Sequence, residues 1–134
     1  MALTEPTAGR TINDASQPVR ITLAEACKKG DILGYSSGWK RALATAGSVI
    51  QGRLVAAEAG AIADVITAYR EAYMSGYTGG TPGGWVYVAE GSAYGQTTET
   101  APVTSTDADT IIGVILSATE IVVWPGNRED HVHA

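Results

Sequence analysis

His131 and His133 are the only histidines of this 134-residue chain, and a single residue, Val132, separates them. Imidazoles at alternate positions can share one metal ion, and Asp130 or Glu129 could add an oxygen ligand. A structural zinc site needs four fixed ligands, so the expectation here is a solvated polar tail without metal. Asp107 and Asp109 form a carboxylate pair that could bind calcium or work as acid and base. Beside Thr106 and Thr110 they read instead as solvated turn residues. Ser, His and Asp all occur, yet no Gly-x-Ser-x-Gly elbow does. The run Thr78-Gly79-Gly80-Thr81-Pro82-Gly83-Gly84 lacks the Lys-Ser/Thr ending of a phosphate loop. The lone Cys27 excludes an internal disulfide framework and any multi-Cys metal site. Lys28 and Lys29 are its only cationic neighbours in sequence, too little to mark a reactive thiol. It reads as a small apolar side chain. The expectation is a chain that is not an enzyme and needs no cofactor.

The aromatic residues carry more information. Trp39, Trp85 and Trp124 each stand in or beside a strand-like run, where core packing is the default. Tyr69, Tyr73 and Tyr77, with the loop after them, could line a partner surface, since Tyr is enriched at interfaces.

The elements that must hold these side chains read as β-structure. Residues 1–18 are broken by Pro6, Gly9, Asn13, Ser16 and Pro18, and read as an N-terminal arm that is either disordered or ordered along a neighbour. Val19-Arg20-Ile21-Thr22-Leu23 alternates as a half-buried strand does. The spacing of Thr22 and Glu25 suits a capping box, with Gly30 as a stop, which allows one short helical turn over residues 23–29. Residues 31–35 and 39–43 form a hairpin around Ser36-Ser37-Gly38, and residues 51–56 are extended. Ile62, Val65, Ile66, Tyr69 and Tyr73 have helical spacing. Strand is preferred, because sequential strands tend to pair, with Val65, Thr67 and Tyr69 on one face and Ile66 and Ala68 on the other. Residues 85–88, 111–116 and 120–124 are β-branched and aromatic strands between turn formers. Residues 91–110 make a weak hairpin or a long loop. The parts are then an arm (1–18), a β-rich domain (19–125) and a polar tail (126–134). The fold class is mostly β: one small β-sandwich or barrel-like module of β-tulip type, with at most one short helix.

The totals agree. The length suits one core, and a 45% apolar content with mean hydropathy of +0.04 excludes a wholly disordered chain. Nine basic against fourteen acidic residues give a net charge of −5. No basic stripe exists to displace counterions from phosphates, so direct nucleic-acid binding is not expected. No apolar stretch approaches the roughly 18 residues of a membrane span. The opening Met1-Ala2-Leu3-Thr4-Glu5-Pro6 lacks the basic and apolar regions of a signal peptide, so the expectation is a protein made and used without secretion across a membrane by that route.

Three stretches give the chain a family likeness: Lys29-Gly30-Asp31-Ile32-Leu33-Gly34, Gly80-Thr81-Pro82-Gly83-Gly84-Trp85-Val86-Tyr87-Val88, and Ile112-Gly113-Val114-Ile115-Leu116-Ser117-Ala118-Thr119. A Thr-rich stretch, Thr97-Thr98-Glu99-Thr100-Ala101-Pro102, lies between the last two. With these, residues 21–125 resemble the small head decoration, or capsid cement, proteins of tailed bacteriophages. The resemblance implies a non-enzymatic virion protein on the capsid exterior, commonly a homotrimer. Such proteins clamp neighbouring major capsid proteins against the pressure of packaged DNA. It assigns capsid or oligomer contacts to Thr4, Pro6, Arg10, Ile12, Trp39, Tyr77 and Trp85, with the N-terminal arm adding to the capsid surface. The tail histidines have no place in that pattern. The rival expectation is a carbohydrate- or cell-surface-binding module of a phage head or tail fibre, with Trp39 or Trp85 stacking on sugar.

Overall fold

The structure, a computed structural model, describes residues 2–6 and 9–134. Among them there is no helix, and nine strands form a single antiparallel sheet that curls on itself. They are β1 (Thr11–Thr22), β2 (Ile32–Tyr35), β3 (Trp39–Arg41), β4 (Leu54–Ala56), β5 (Val65–Ser75), β6 (Trp85–Val88), β7 (Thr97–Thr98), β8 (Ile111–Ser117) and β9 (Glu120–Val123). The order is β3-β2-β4-β5-β9-β8-β6-β7, with β1 on the other edge of β5. The mostly-β, barrel-like reading is therefore the fold the chain has.

β5 organises this arrangement. Its first half pairs with β4 (Val55 with Tyr69, Ala56 with Ala68), and its second half pairs with β9 (Ala72 with Val123 through Ser75 with Glu120). The two neighbours share one edge and part company at Arg70 and Glu71. Alternation along β5 buries Ile66, Ala68, Ala72 and Met74 and leaves Val65, Thr67, Tyr69 and Tyr73 on the outer face. The strand reading of this segment holds, with the split of faces expected from its sequence.

Two cores result. One gathers Ile21, Leu23, Cys27, Leu33, Leu54, Ala56, Ile66 and Ala68, with Trp39 against it. The other, larger, includes Leu3, Ile32, Val55, Met74, Tyr77, Val86, Ile112, Ile115, Ile121 and Val123. β2 and β4 are the wall between them. Ile32 pairs with Val55 and both face the larger core; Leu33 pairs with Leu54 and both face the smaller. All four are buried, each side chain stabilising the fold by roughly 1.5–3 kcal/mol. A single parallel bridge from Leu23 to Trp39 curls the chain after β1 back onto β3.

The N-terminal reading changes most. β1 runs across the expected boundary at residue 18 and pairs with β5 along its whole length, Thr11 with Ser75 through Thr22 with Val65. Residues before it are also tied down. Leu3 is buried in the larger core, and Thr4 and Thr78 exchange backbone hydrogen bonds of 2.7 and 3.2 Å. Met1, Thr7 and Ala8 of the expected arm lie outside the described residues. Main-chain pairing to an 11-residue strand supplies the order that the apolar pattern could not. The allowed helical turn at residues 23–29 is also absent. Ala24 N donates to Trp39 O and Cys27 N to Gly60 O, while the Glu25 carboxylate accepts from Arg41 N and Nε rather than closing a capping box.

The 126–134 segment is docked rather than free. Arg53 holds Asp130 through two bonds of 2.7 and 2.6 Å, and Val132 bridges to Ala108. His131 and His133 both turn Nδ1 toward Asp109, His133 at 3.4 Å.

Candidate partner-binding surface

Direct cross-strand partners point to the same side of a sheet. The register therefore lines up Trp85 (β6), Val114 (β8), Val122 (β9) and Tyr73 (β5) in one row across four strands. Ile115, Ile121, Val123 and Met74, on the other side of these strands, are in the core. The row is thus the outer face. Trp85 is 44% exposed, and Leu116 at the β8 bulge is 47% exposed. Carboxylates edge the row. Asp14 pairs with Tyr73 across the β1–β5 ladder, Glu71 precedes Tyr73 by two on the same face, and Glu120 accepts the Tyr73 hydroxyl hydrogen bond. That bond lowers the Glu120 pKa and raises that of Tyr73.

At the β6 end of the row the Arg128 guanidinium carbon lies 5.2 Å from the Trp85 ring centroid, within cation–π range. Tyr87 and Ile111 continue from there into a groove of about 530 Å³, walled by Asp109, Thr110, Arg128, Glu129 and His131. Asp109 is held by the two imidazoles, and Thr110 Oγ donates to Gln51 and accepts from His131 N.

The expected contact residues do not converge. Trp85 is on the outer face. Thr4 is exposed but bridged to Thr78, and Pro6 is half-buried. Ile12 packs on the larger core and Trp39 on the smaller, where Trp39 makes an edge contact with Tyr35 at 5.4 Å. Arg10 and Tyr77 are corrected outright: both are buried inside the protein rather than standing on an outer contact face. Arg10 donates to Glu5 Oε1 (2.7 Å), to Asp31 Oδ1 (2.6 Å) and to the Lys29 carbonyl. Glu5 in turn accepts from Thr97 N and Oγ. Burial alone would lower the Arg10 pKa, but the charges of Glu5 and Asp31 outweigh it and raise the value. The Tyr77 hydroxyl is buried beside this network and close to Thr97, but no group among the described residues completes a hydrogen bond to it. Burial, with Glu5 nearby, raises its pKa.

The candidates for chemistry fare differently from expectation too. Asp107, read as a solvated turn residue, is 1% exposed and accepts from Ala46 N at 2.7 Å and Thr104 N at 3.1 Å, so its work is to hold two loops together. Burial pushes the Cys27 thiol up to about 11 and leaves it protonated at neutral pH. Among the described residues no group of three or more His, Cys, Asp or Glu side chains is placed to hold a metal ion. Among the described residues no helix is long and apolar enough to cross a membrane. Comparison with known proteins returned no matching family profile, no matching curated protein and no matching solved structure.

Proposed function

We propose that this chain is a structural virion protein that binds the outer surface of a phage capsid and cements neighbouring major capsid proteins. The observation that carries the reading is the outward row of Trp85, Val114, Val122 and Tyr73, spread over four hydrogen-bonded strands. A clamp needs a broad, stiff face with an aromatic anchor and a polar rim. The row has that composition, and Leu116 widens it. Repetition around a shell makes modest sites hold collectively. A homotrimer fits this reading, because a cyclic assembly lets one chain touch several capsid subunits. Electron microscopy of the parent particle tests it. Density for this chain on the shell exterior, with the Trp85 face inward against the capsid, is the expected result; a shell exterior without the chain contradicts it.

One observation favours a second reading, a carbohydrate-binding module. Tyr87 lines a groove whose walls carry Asp109, Thr110, Glu129 and His131, and Arg128 on the same wall lies over the Trp85 ring. Aromatic faces beside hydrogen-bonding groups suit a sugar ring. Saturable binding on a glycan array, lost in Trp85→Ala, with no capsid affinity, is the result that selects this reading over the first.

A further inference from the structure

The chain's positive charge is not evenly spread. Four of its nine basic residues, Arg10, Lys28, Lys29 and Arg41, line one cleft of about 320 Å³ in a protein of net charge −5. The cleft's own acids are already consumed. Glu5 takes Arg10 Nε and both Thr97 donors, and Asp31 takes Arg10 Nη1 and the Lys28 backbone N–H. Arg10 is buried among them. Lys28 and Lys29, both exposed, have no ion-pair partner among the described residues. Arg41 is anchored by Glu25 at 2.9 Å through Nε, and its guanidinium carbon lies 5.1 Å from the Tyr94 ring centroid. Two free ammonium groups, an oriented guanidinium and a Tyr face thus surround a polar hollow, with the internal carboxylates saturated.

We propose that this cleft is a binding site for a carboxylate-rich peptide segment of a partner protein. The site stands on different residues from the Trp85 row and does not depend on what that row binds. Charge complementarity selects the occupant. Ammonium and guanidinium groups at one spot favour carboxylates, and Arg41 can pair one while stacked on Tyr94. A nucleic-acid strand needs a continuous basic track. Here a strand leaving the cleft would meet the acidic remainder of the surface, whereas a short acidic loop can end inside it. Both lysines are exposed, so their charge is available for recognition.

The test is fluorescence anisotropy with a labelled oligo-aspartate peptide and the full chain. The expected result is saturable binding that weakens as salt rises. Lys28→Gln/Lys29→Gln weakens it by about tenfold or more, as loss of two charged contacts requires. Lys28→Arg/Lys29→Arg retains it, and Arg20→Gln/Arg70→Gln, removing equal charge elsewhere, leaves it within about twofold. No saturable binding overturns the proposal. So does an equal loss in both Gln pairs, which marks a diffuse charge effect. Tighter binding of a single-stranded oligonucleotide through the same two lysines overturns it in favour of nucleic acid.

Discussion

Arg10 and Asp107 show how a polar side chain becomes structural when its partners come from far along the chain. Arg10→Met leaves the buried Asp31 and the half-buried Glu5 carboxylates without their shared cation. Breaking such a set costs about 3–5 kcal/mol, which urea denaturation will register as a lower midpoint. Asp107→Ala takes the acceptor from the Ala46 and Thr104 amides, the first half-buried and the second open to water, and lowers stability by about 1–3 kcal/mol in all, read in the same assay. Cys27 gives a pH dependence with a definite sign. Its pKa in the fold, about 11, lies above the ordinary 9.0, so the folded protein holds this proton more tightly than the unfolded chain. The stabilisation is complete below pH 9 and is lost as pH rises toward 11. Cys27→Ala makes the fall in denaturation midpoint shallower across that window. None of these roles was legible in local sequence. Arg10 reads as one charge in a broken stretch until Asp31 arrives, and Asp107 reads as a turn carboxylate until Ala46 approaches from sixty-one positions away.

At the level of the strand, alternation, β-branching and turn residues located β2, β3, β6, β8 and β9 from sequence, whereas β5 was read as strand from its neighbours because its own spacing also suits a helix. Each has a face to bury, and burial writes a period into the residues. The end of β1 from Val19 was read from its alternation, but residues 11–18 escaped because their order comes from main-chain bonds to β5, which impose no apolar pattern, and most of the strand's side chains are exposed. The helical turn failed for the same reason: residues 23–29 spend their amides on Trp39 and Gly60. Within the sheet, Gly113 is held by space. A Cβ there would lie 2.2 Å from the Val122 carbonyl oxygen. Gly113→Ala therefore forces β8 from β9 and costs at least the upper end of the roughly 1–3 kcal/mol typical of overpacking, visible as a lower melting temperature. β1 itself is an edge strand with its far side unpaired by any named strand. Pro18, the bulge at Asn13 and a left-handed Gln17 (φ 57°) interrupt that side, the usual means of discouraging edge-to-edge association. Pro18→Val with Gln17→Gly relieves the strain, restores a donor, and raises self-association in sedimentation velocity.

For the molecule as a whole, the curled sheet places catalytic-looking residues in structural work and leaves an aromatic row facing outward. The candidate surface was only partly legible. Trp85 was singled out from sequence, but its row spans four strands whose register no single segment encodes. Arg10 is held inward by Glu5, 5 positions away, and Asp31, 21 away, partners that the local pattern does not reveal. The reading as a cement protein makes Trp85 the anchor of a partner interface rather than a support of the fold. On that reading, the direct measurement is co-sedimentation of the purified protein with tailed-phage capsids, comparing wild type with Trp85→Ala at equal folded fraction. The account predicts saturable binding by wild type and a loss of about 2 kcal/mol, roughly thirtyfold in affinity, for the variant. Capsids that pellet without the wild-type chain, or that bind both proteins equally, contradict it.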